Sequence, residues 1–311
     1  MWIIILLVIV LFLLWNITLV GYKDRAVHPI ESDESKVFDP KARSITITNE
    51  GNTRAILIVH GFPSTPSIYT YSSAVFAEAG LDVYVPLLPG FGTSPDEFVK
   101  TTFTQWFDSL CRTYERLRGE YETLYVLGTS MGGMMTLKIG ETYCNGPMAP
   151  DKLVSIAAPV VFNSPRDGII TDWRQYFLRT LALFTPAIKA GVKPGSAEGE
   201  DGSKDWCGYS GLFLRPGLSL VHAMRRVRKE LGLITCPLFV IHDRGDRTVP
   251  FGNCEIIEAE HKSRDFRILK TEMPPFNHTR HALLMYHSVQ KELTETILAF
   301  LFEKEHTDDK A

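Results

Sequence analysis

The run from Gly128 to Gly132 (GTSMG) has the Gly-x-Ser-x-Gly spacing of a turn that presents a serine nucleophile. An apolar, strand-like segment precedes Ser130, and a segment with helical spacing follows it. In that context the serine hydroxyl is exposed at the top of a sheet, and the flanking glycines let strand and helix approach closely. The alternative is a glycine-rich turn with an incidental serine, so the partners of Ser130 decide between the two.

A serine hydroxyl is a weak nucleophile and needs a general base within hydrogen-bond reach. Three histidines near the C-terminus compete for that role. We predict His281, because it follows the last strand-like run and directly precedes a long C-terminal helix. His278 is the alternative, and His287 is expected on the surface of that helix. Histidine suits the task because its pKa near 6.5 lets it accept and return a proton near neutrality.

The acid that orients the base is expected just past a strand, where sites of parallel sheets form. An apolar run ends at His242, and Asp246 lies in the turn after it, before Thr-Val-Pro. We therefore predict Asp246 as the acid. Asp243, directly after His242, is the alternative.

Backbone donors for the oxyanion are expected in the loop after an earlier strand and directly after the nucleophile. His60-Gly61-Phe62 follows a short apolar run, which places the N–H of Phe62 as one donor. The N–H of Met131 is the other. His60 itself is interpreted as a structural histidine that braces this loop.

Short β-branched runs alternate with helix-period segments along the chain, a pattern typical of a parallel sheet with crossover helices. The predicted strands are continuously apolar, as strands buried on both faces should be. They cover residues 44–48, 55–59, 83–86, 123–127, 153–157, 237–242 and 266–270, and the predicted helices cover 68–79, 104–119, 131–143, 253–260 and 282–303.

The alternation stops between residues 162 and 234, which we interpret as a cap inserted between two strands. A Gly- and charge-rich loop from Gly191 to Gly211 divides it. Bulky residues at helical spacing precede that loop. They are candidates for the walls of an acyl channel or for packing of the cap onto the sheet: Trp173, Phe177, Leu181 and Phe184.

Residues 2–20 are nearly all apolar, which predicts a transmembrane anchor over residues 1–22, followed by a linker over residues 23–43. A cleaved signal peptide is the alternative, but no basic segment precedes the run and no small-x-small site follows it. Lys23 and Arg25 follow the run, so the positive-inside rule predicts a single-pass membrane protein with a cytoplasmic catalytic domain. The five cysteines are odd in number and scattered, unlike a disulfide framework, which agrees with a cytoplasmic side. A glycosylation sequon at Asn277 lies inside the histidine loop, where a glycan would block the site, so a glycosylating compartment is disfavoured.

The 311 residues are 45% hydrophobic and 22% charged, with a net charge of −3. This is an ordinary globular composition, and it gives no electrostatic case for a nucleic-acid partner. Histidines and cysteines do not fall at metal-ligand spacings, so no metal is expected. A polar tail over residues 306–311 ends the chain, and the oligomeric state is left open.

These motifs in this order resemble an α/β-hydrolase, most similar to the bacterial carboxylesterase and monoacylglycerol lipase branch. The resemblance rests on the Ser130 turn, the His60-Gly61-Phe62 loop, the run 88–94 (LPGFGTS), Asp246 before Thr-Val-Pro, and His281. It covers residues 44–303 of a hydrolase domain predicted over residues 44–305, and it implies an eight-stranded type of sheet, a small helical cap after the sixth strand, and no cofactor. It carries over Ser130, Asp246 and His281 as a triad, with Phe62 and Met131 as oxyanion donors.

The expected function is hydrolysis of short- or medium-chain acyl esters or monoacylglycerol through an acyl-enzyme. The partners expected are that small-molecule or lipid substrate and, through the N-terminal helix, the membrane. Amidase or peptidase, thioesterase and acyltransferase activities use the same triad and remain alternatives. A non-catalytic binding protein on the same fold is the alternative from a different class.

Overall fold

A computed structural model describes residues 1–193, 201–274 and 279–303. Within these ranges the chain forms nine strands and nine α-helices. The strands are β1 Ile45–Ile47, β2 Arg54–Val59, β3 Asp82–Val85, β4 Thr123–Thr129, β5 Lys152–Ile156, β6 Ala187–Lys193, β7 Gly208–Phe213, β8 Leu238–Asp243 and β9 Phe266–Thr271. The helices are α1 Trp2–Thr18, α2 Thr70–Glu78, α3 Pro95–Phe98, α4 Phe103–Glu120, α5 Met131–Tyr143, α6 Leu178–Phe184, α7 Leu214–Glu230, α8 Gly252–Glu260 and α9 Gln290–Phe302.

Seven of the described strands form one sheet in the order β1-β3-β2-β4-β5-β8-β9. Only β1 runs antiparallel to its neighbour, and the other pairs are parallel. The α/β-hydrolase fold predicted from the sequence is confirmed. Each predicted strand lies within two residues of an observed one, although the described sheet has seven strands rather than the eight that the resemblance implied.

The sheet is covered on both faces, and β2 shows how. Ala55, Leu57 and Val59 point into a core built largely with α4, α5, α7 and α8. Ile56 and Ile58 point to the opposite face, which is covered by α2 and α9. All five are fully buried, as the alternating side-chain directions of a doubly covered strand require.

The N-terminal helix α1 contradicts the sequence prediction. No helix among the described residues is both long enough and apolar enough to cross a bilayer. Helix α1 has 17 residues, and at 1.5 Å per residue it is about 25 Å long, less than the roughly 30 Å hydrocarbon core. It ends because Leu19 adopts a left-handed conformation, so Leu19 and Val20 add apolar sequence but no helix. The predictions of a transmembrane anchor and a single-pass membrane location are wrong, and the membrane side assigned from them has no basis.

The end of α1 packs against the cap instead. The side chain of Asn16 is buried, and its Oδ1 accepts hydrogen bonds from the N–H and hydroxyl of Thr180 at 3.0 and 2.9 Å. The Arg179 guanidinium donates to the carbonyls of Trp15 and Val20. These bonds cross more than 150 residues of sequence and fix the end of α1 to α6 of the cap.

The segment predicted as a linker lies along the start of α4. Asp24 accepts a hydrogen bond from the Thr104 hydroxyl at 2.7 Å, and the Gln105 side chain donates to the carbonyl of His28 at 2.8 Å. Glu31 forms an ion pair with Arg112 at 2.6 Å. Several side-chain contacts therefore hold this segment on the hydrolase body.

Between β5 and β8 the chain forms the inserted cap, with α6, a hairpin of β6 and β7, and α7. The loop predicted from Gly191 to Gly211 includes the ends of both hairpin strands, although residues 194–200 lie outside the described residues. Glycine at 211 is required there, because its φ is +105° and a Cβ would collide with the Lys189 carbonyl. Sequence reasoning missed this hairpin because its strand burial is irregular and gives no period-2 signal.

Candidate active site

Ser130 lies at the carboxyl end of β4, in the sharp turn before α5. Its φ of 60° and ψ of −123° are strained for a residue with a side chain, a conformation that costs on the order of 1–3 kcal/mol and is concentrated at functional sites. The turn is held because the Ser130 N–H donates to the Ile156 carbonyl on β5 at 2.8 Å. Ser130 is half-buried in this turn.

Small residues let the surrounding backbone close around this serine. A Cβ at Gly132 would collide with the carbonyl of Val59, the last residue of β2. A Cβ at Gly61 would lie 3.1 Å from the Cβ of Ser130. The loop after β2 is therefore in direct contact with the nucleophile turn, as the oxyanion prediction requires.

Asp246 and His281, which are 35 residues apart in sequence, meet at the same edge of the sheet. The Nδ1 atom of His281 lies 2.7 Å from Oδ2 of Asp246. Oδ1 of Asp246 accepts the backbone N–H groups of Thr248 and Val249 at 2.7 and 2.9 Å. The carboxylate is thus oriented by its own turn, and its remaining oxygen is available to the imidazole.

This contact sets the tautomer of His281. An imidazole nitrogen that faces a carboxylate carries the proton, so Nδ1 is the N–H and Nε2 bears the lone pair. Nε2 is buried and has no hydrogen-bond partner within the described residues. The arrangement leaves Nε2 as an unprotonated ring nitrogen that can accept a proton.

The charge state of Asp246 agrees with its predicted role as the acid that orients the base. Burial raises the pKa of its carboxyl, but the neighbouring His281 and His242 outweigh burial and lower the pKa to about 2. The side chain has no solvent-exposed surface. Asp246 is therefore a buried, ionised carboxylate near neutral pH.

His242 is a contact of Asp246 that sequence reasoning missed. Its Nε2 lies 3.0 Å from the Val249 carbonyl and 3.3 Å from Oδ2 of Asp246. Both neighbours are acceptors, so Nε2 must carry the proton. The sequence spacing could have indicated this contact, because a histidine at the end of a strand and an aspartate four residues later can meet across one turn.

The loop that carries His281 is joined to the acid turn by further bonds. The Arg247 N–H donates to the Thr279 carbonyl at 2.9 Å. The hydroxyl of the buried Tyr286 accepts the His281 N–H at 3.4 Å. Tyr286 is a second residue that the sequence did not single out.

Asp243, the alternative acid, and His287, the third candidate base, make other contacts. Asp243 is buried, and its carboxylate accepts from the N–H of Gly245, the hydroxyl of Thr271 and the N–H of Met273 at 2.7–2.9 Å. It thereby joins β8 to β9. His287 is exposed and contacts Asp205 of the cap at 3.1 Å.

Two further predictions fall on residues that the structure does not describe. His278, with the sequon at Asn277, falls in residues 275–278, and the polar tail of 306–311 falls after residue 303; both lie outside the described residues.

Phe62 joins the oxyanion loop to the body and to the cap. Its ring packs against an aromatic cluster with centroid separations of 5.3–6.5 Å, formed by Phe91, Phe98, Trp106 and Phe213. Met131 is the first residue of α5, so its N–H has no acceptor within the helix. His60 braces the loop: its Nε2 accepts the Leu88 N–H at 3.1 Å, and burial lowers its pKa to about 4.

The cap hairpin is seated on this loop. The N–H of Tyr209 donates to the Pro63 carbonyl at 3.0 Å. Its hydroxyl donates to the Gly90 carbonyl and accepts the Thr93 N–H, both at 2.9 Å. The hydroxyl of Thr65 donates to the Cys207 carbonyl at 3.0 Å.

The four aromatic and apolar candidates of the cap lie on its first half. Trp173 and Phe177 are in edge-to-face contact, and Phe177 also approaches Phe12 of α1. Trp173 is 66% exposed and Phe184 is 82% exposed, while Leu181 is at the margin of exposure. Their role as acyl-channel walls stays a prediction.

The family model described as "Serine aminopeptidase, S33" matches residues 51–285, which include every candidate site residue. The chain belongs to this family. The predicted relationship to carboxylesterases and monoacylglycerol lipases is confirmed by its relatives, and this S33 family member is a hydrolase of the lipase and esterase type.

Two curated relatives of this S33 family member come from Bacillus. It is 28% identical over 218 residues to the thermostable monoacylglycerol lipase of Bacillus sp. (strain H-257), covering 67% of this chain and 76% of the relative. It is 26% identical over 235 residues to the carboxylesterase of Bacillus subtilis (strain 168), covering 74% and 85%.

Solved structures support the fold. A structure reported for the metagenome-derived lipolytic enzymes LipS and LipT superposes with a TM-score of 0.70 at 24% identity, covering 84% of this chain and 98% of the other. The monoacylglycerol lipase of Paleococcus ferrophilus superposes with a TM-score of 0.63 at 17% identity, covering 83% and 97%.

Proposed function

We propose that this S33 family member is a serine esterase that cleaves short- or medium-chain acyl esters or monoacylglycerol. Ser130 is the nucleophile, His281 the general base and Asp246 the acid that orients it. The proposal rests on one observation above the others. The 2.7 Å contact from Asp246 to His281 leaves a buried Nε2 without a partner among the described residues, at the sheet edge where Ser130 is held in a strained turn.

The reaction follows from these positions. Ser130 Oγ attacks the carbonyl carbon of the ester while Nε2 of His281 accepts the hydroxyl proton. Asp246 stabilises the imidazolium through Nδ1. The N–H groups of Phe62 and Met131 donate to the oxyanion of the tetrahedral intermediate.

Collapse of that intermediate breaks the bond to the alcohol, which leaves with the proton held by His281. An acyl ester on Ser130 remains. Water then gives a proton to Nε2 of His281 and attacks the acyl carbonyl. The second tetrahedral intermediate releases a carboxylic acid and returns the proton to Ser130.

The substrate class is supported by two observations of different kinds. The curated relatives are a monoacylglycerol lipase and a carboxylesterase by name. The cap contributes Phe213 to the aromatic cluster around Phe62, beside the proposed oxyanion site. We assign Trp173, Phe177, Leu181 and Phe184 as further apolar walls for the acyl chain.

The test compares Ser130→Ala with the wild type on p-nitrophenyl esters from acetate to palmitate. Loss of the nucleophile should reduce kcat by roughly 10⁴-fold or more and abolish labelling by a serine-directed phosphonate. Ser263→Ala is the matched control, because Ser263 bonds only to its own loop before β9. A folded Ser130→Ala protein with wild-type ester turnover would refute the assignment.

Amide hydrolysis is the second candidate, because the printed description of the matching family model is an aminopeptidase. Peptide p-nitroanilides measured beside the p-nitrophenyl esters separate the two. A higher kcat/KM on an anilide than on any ester would move the assignment to a peptidase while keeping the same three residues.

A further inference from the structure

A cavity of about 500 Å³ lies between the end of α1, the residues just before α4, and the cap. Such a volume is in the range of ligand pockets. Its lining includes five cationic side chains and no acidic one: Lys23, Arg25, Lys100, Arg179 and Arg215. The molecule as a whole has a net charge of −3, so this concentration of positive charge is local.

Nearby carboxylates neutralise only one of these five cations. Glu97 pairs with Lys100 at 2.8 Å. Asp24 accepts from the hydroxyls of Tyr22 and Thr104 and lines the adjacent cavity instead. Within the described residues, the other four cations of the cavity have no carboxylate within ion-pair distance: Lys23, Arg25, Arg179 and Arg215.

Arg179 has a fixed position at this cavity. Its guanidinium lies 4.0 Å from the ring centroid of Trp15 and donates to two backbone carbonyls at 2.9 Å. The other four cations line the same cavity, so an anion bound there would be attracted by several positive charges at once.

The rest of the lining is apolar. Trp15, Val99 and Leu183 contribute partly exposed apolar surface, and Ala182 and Leu218 are buried. A small inorganic anion would leave these walls in contact with water. A ligand with one charged head and an apolar chain satisfies both halves of the cavity.

We propose that this cavity binds an anionic amphiphile, with a carboxylate or phosphate head held by the cations and the chain against the apolar walls. The two heads share the same chemistry: a single centre whose terminal oxygens share negative charge, carried on an alkyl chain. The site is separate from Ser130, His281 and Asp246, none of which lines the cavity.

The test is calorimetric titration of the full-length protein with octanoate, octyl phosphate, inorganic phosphate and octanol, below micelle-forming concentrations. The probe variant carries Lys23→Gln, Arg25→Gln and Arg215→Gln. All three residues are exposed, so the fold should be retained, and melting temperature checks this. The control variant removes three exposed cations elsewhere: Arg166→Gln, Lys262→Gln and Arg264→Gln.

We expect the probe variant to bind the anionic amphiphile at least tenfold more weakly than the control variant does. Wild-type affinity should fall with added salt. Preference for octanoate over octyl phosphate, or the reverse, identifies which head the site takes. Equal loss in probe and control variants would overturn the proposal, as would octanol binding as tightly as the anions or inorganic phosphate binding as tightly as octyl phosphate. Octanoate is also the acid product expected from a medium-chain ester, so only binding that the probe variant loses and the control variant keeps is assigned to this cavity. The probe variant leaves Ser130, His281 and Asp246 unchanged, so failure of the esterase assignment would not alter that difference.

Discussion

Replacing Asp246 by Asn tests the proposed acid with almost no change in shape. Two N–H donors, from Thr248 and Val249, face Oδ1 and fix which end of the amide is the carbonyl. The NH₂ group then occupies the position of Oδ2, 2.7 Å from Nδ1 of His281. Two N–H groups cannot point at each other, so His281 must move its proton from Nδ1 to Nε2.

A His281 protonated on Nε2 cannot accept the proton of Ser130. A wrong tautomer of this kind lowers kcat by about 10⁴-fold in enzymes with this triad, or roughly 5 kcal/mol in activation free energy. The alternative, a flipped amide, would place NH₂ against the two backbone N–H groups and lose both of those hydrogen bonds. We therefore expect a loss of three to four orders of magnitude in kcat on p-nitrophenyl butyrate.

Asp243→Asn is the matched control, because Asp243 is equally buried at the same sheet edge but contacts no histidine. It should lower the melting temperature while kcat per folded molecule stays within about tenfold of wild type. The reasoning is refuted if folded Asp246→Asn protein retains more than a tenth of wild-type kcat. Equal losses of kcat in the two variants would refute it as well.

Three further predictions concern stability. The pKa of Asp246 is lowered to about 2, so the ionised carboxylate should stabilise the fold by about 2 kcal/mol above pH 4 and lose that contribution as the pH falls toward 2. In Asp246→Asn, the free energy of unfolding should therefore fall less steeply with decreasing pH in this acid range. An unchanged dependence on pH would contradict this. Burial raises the pKa of Glu141 to about 8, so ionising this carboxyl costs stability as the pH rises from about 5 to 8. The gain in melting temperature of Glu141→Gln over the wild type should therefore grow across that range. A gain that stays constant with pH would contradict the prediction. Gly132→Ala should prevent native folding, because the added Cβ would collide with the Val59 carbonyl. The control Gly119→Ala has open space around the added Cβ in α4 and should stabilise the protein by roughly 0.5–1 kcal/mol. A native circular dichroism spectrum and an unchanged melting temperature for Gly132→Ala would contradict the steric argument.

Local signals in the sequence predicted the sheet well. Strands β2, β4 and β8 are short apolar runs that are almost entirely buried, and each ends at a polar or glycine turn. Helix α5 was predicted with its observed limits, Met131–Tyr143, because the Ser130 turn marks its start. Burial and turn chemistry act over a few residues and can be read without the fold.

Features that depend on contacts between distant segments could not be predicted in this way. Nothing near Asn16 in sequence indicates that Thr180 would bond to it. The apolar run extends to residue 20, whereas α1 ends at Thr18. Cys144 and Cys236, treated in the sequence as scattered, are joined as a disulfide between the end of α5 and the start of β8. The β6–β7 hairpin likewise depends on pairing rather than on alternation.

The two histidines at Asp246 illustrate why residue type alone does not assign a base. Both place a ring nitrogen near Oδ2, yet the Nε2 proton of His242 is shared between Asp246 and the carbonyl of Val249. Its other nitrogen, Nδ1, is buried with no partner among the described residues, and the side chain has no exposed surface. His281 instead places Nδ1 on the carboxylate, and its Nε2 is likewise buried without a partner among the described residues. The two differ in that the His281 side chain is 12% exposed, whereas the His242 side chain is fully buried. We therefore propose His242 as a positioning residue that steadies the carboxylate, and His281 as the residue that exchanges a proton with a bound ester.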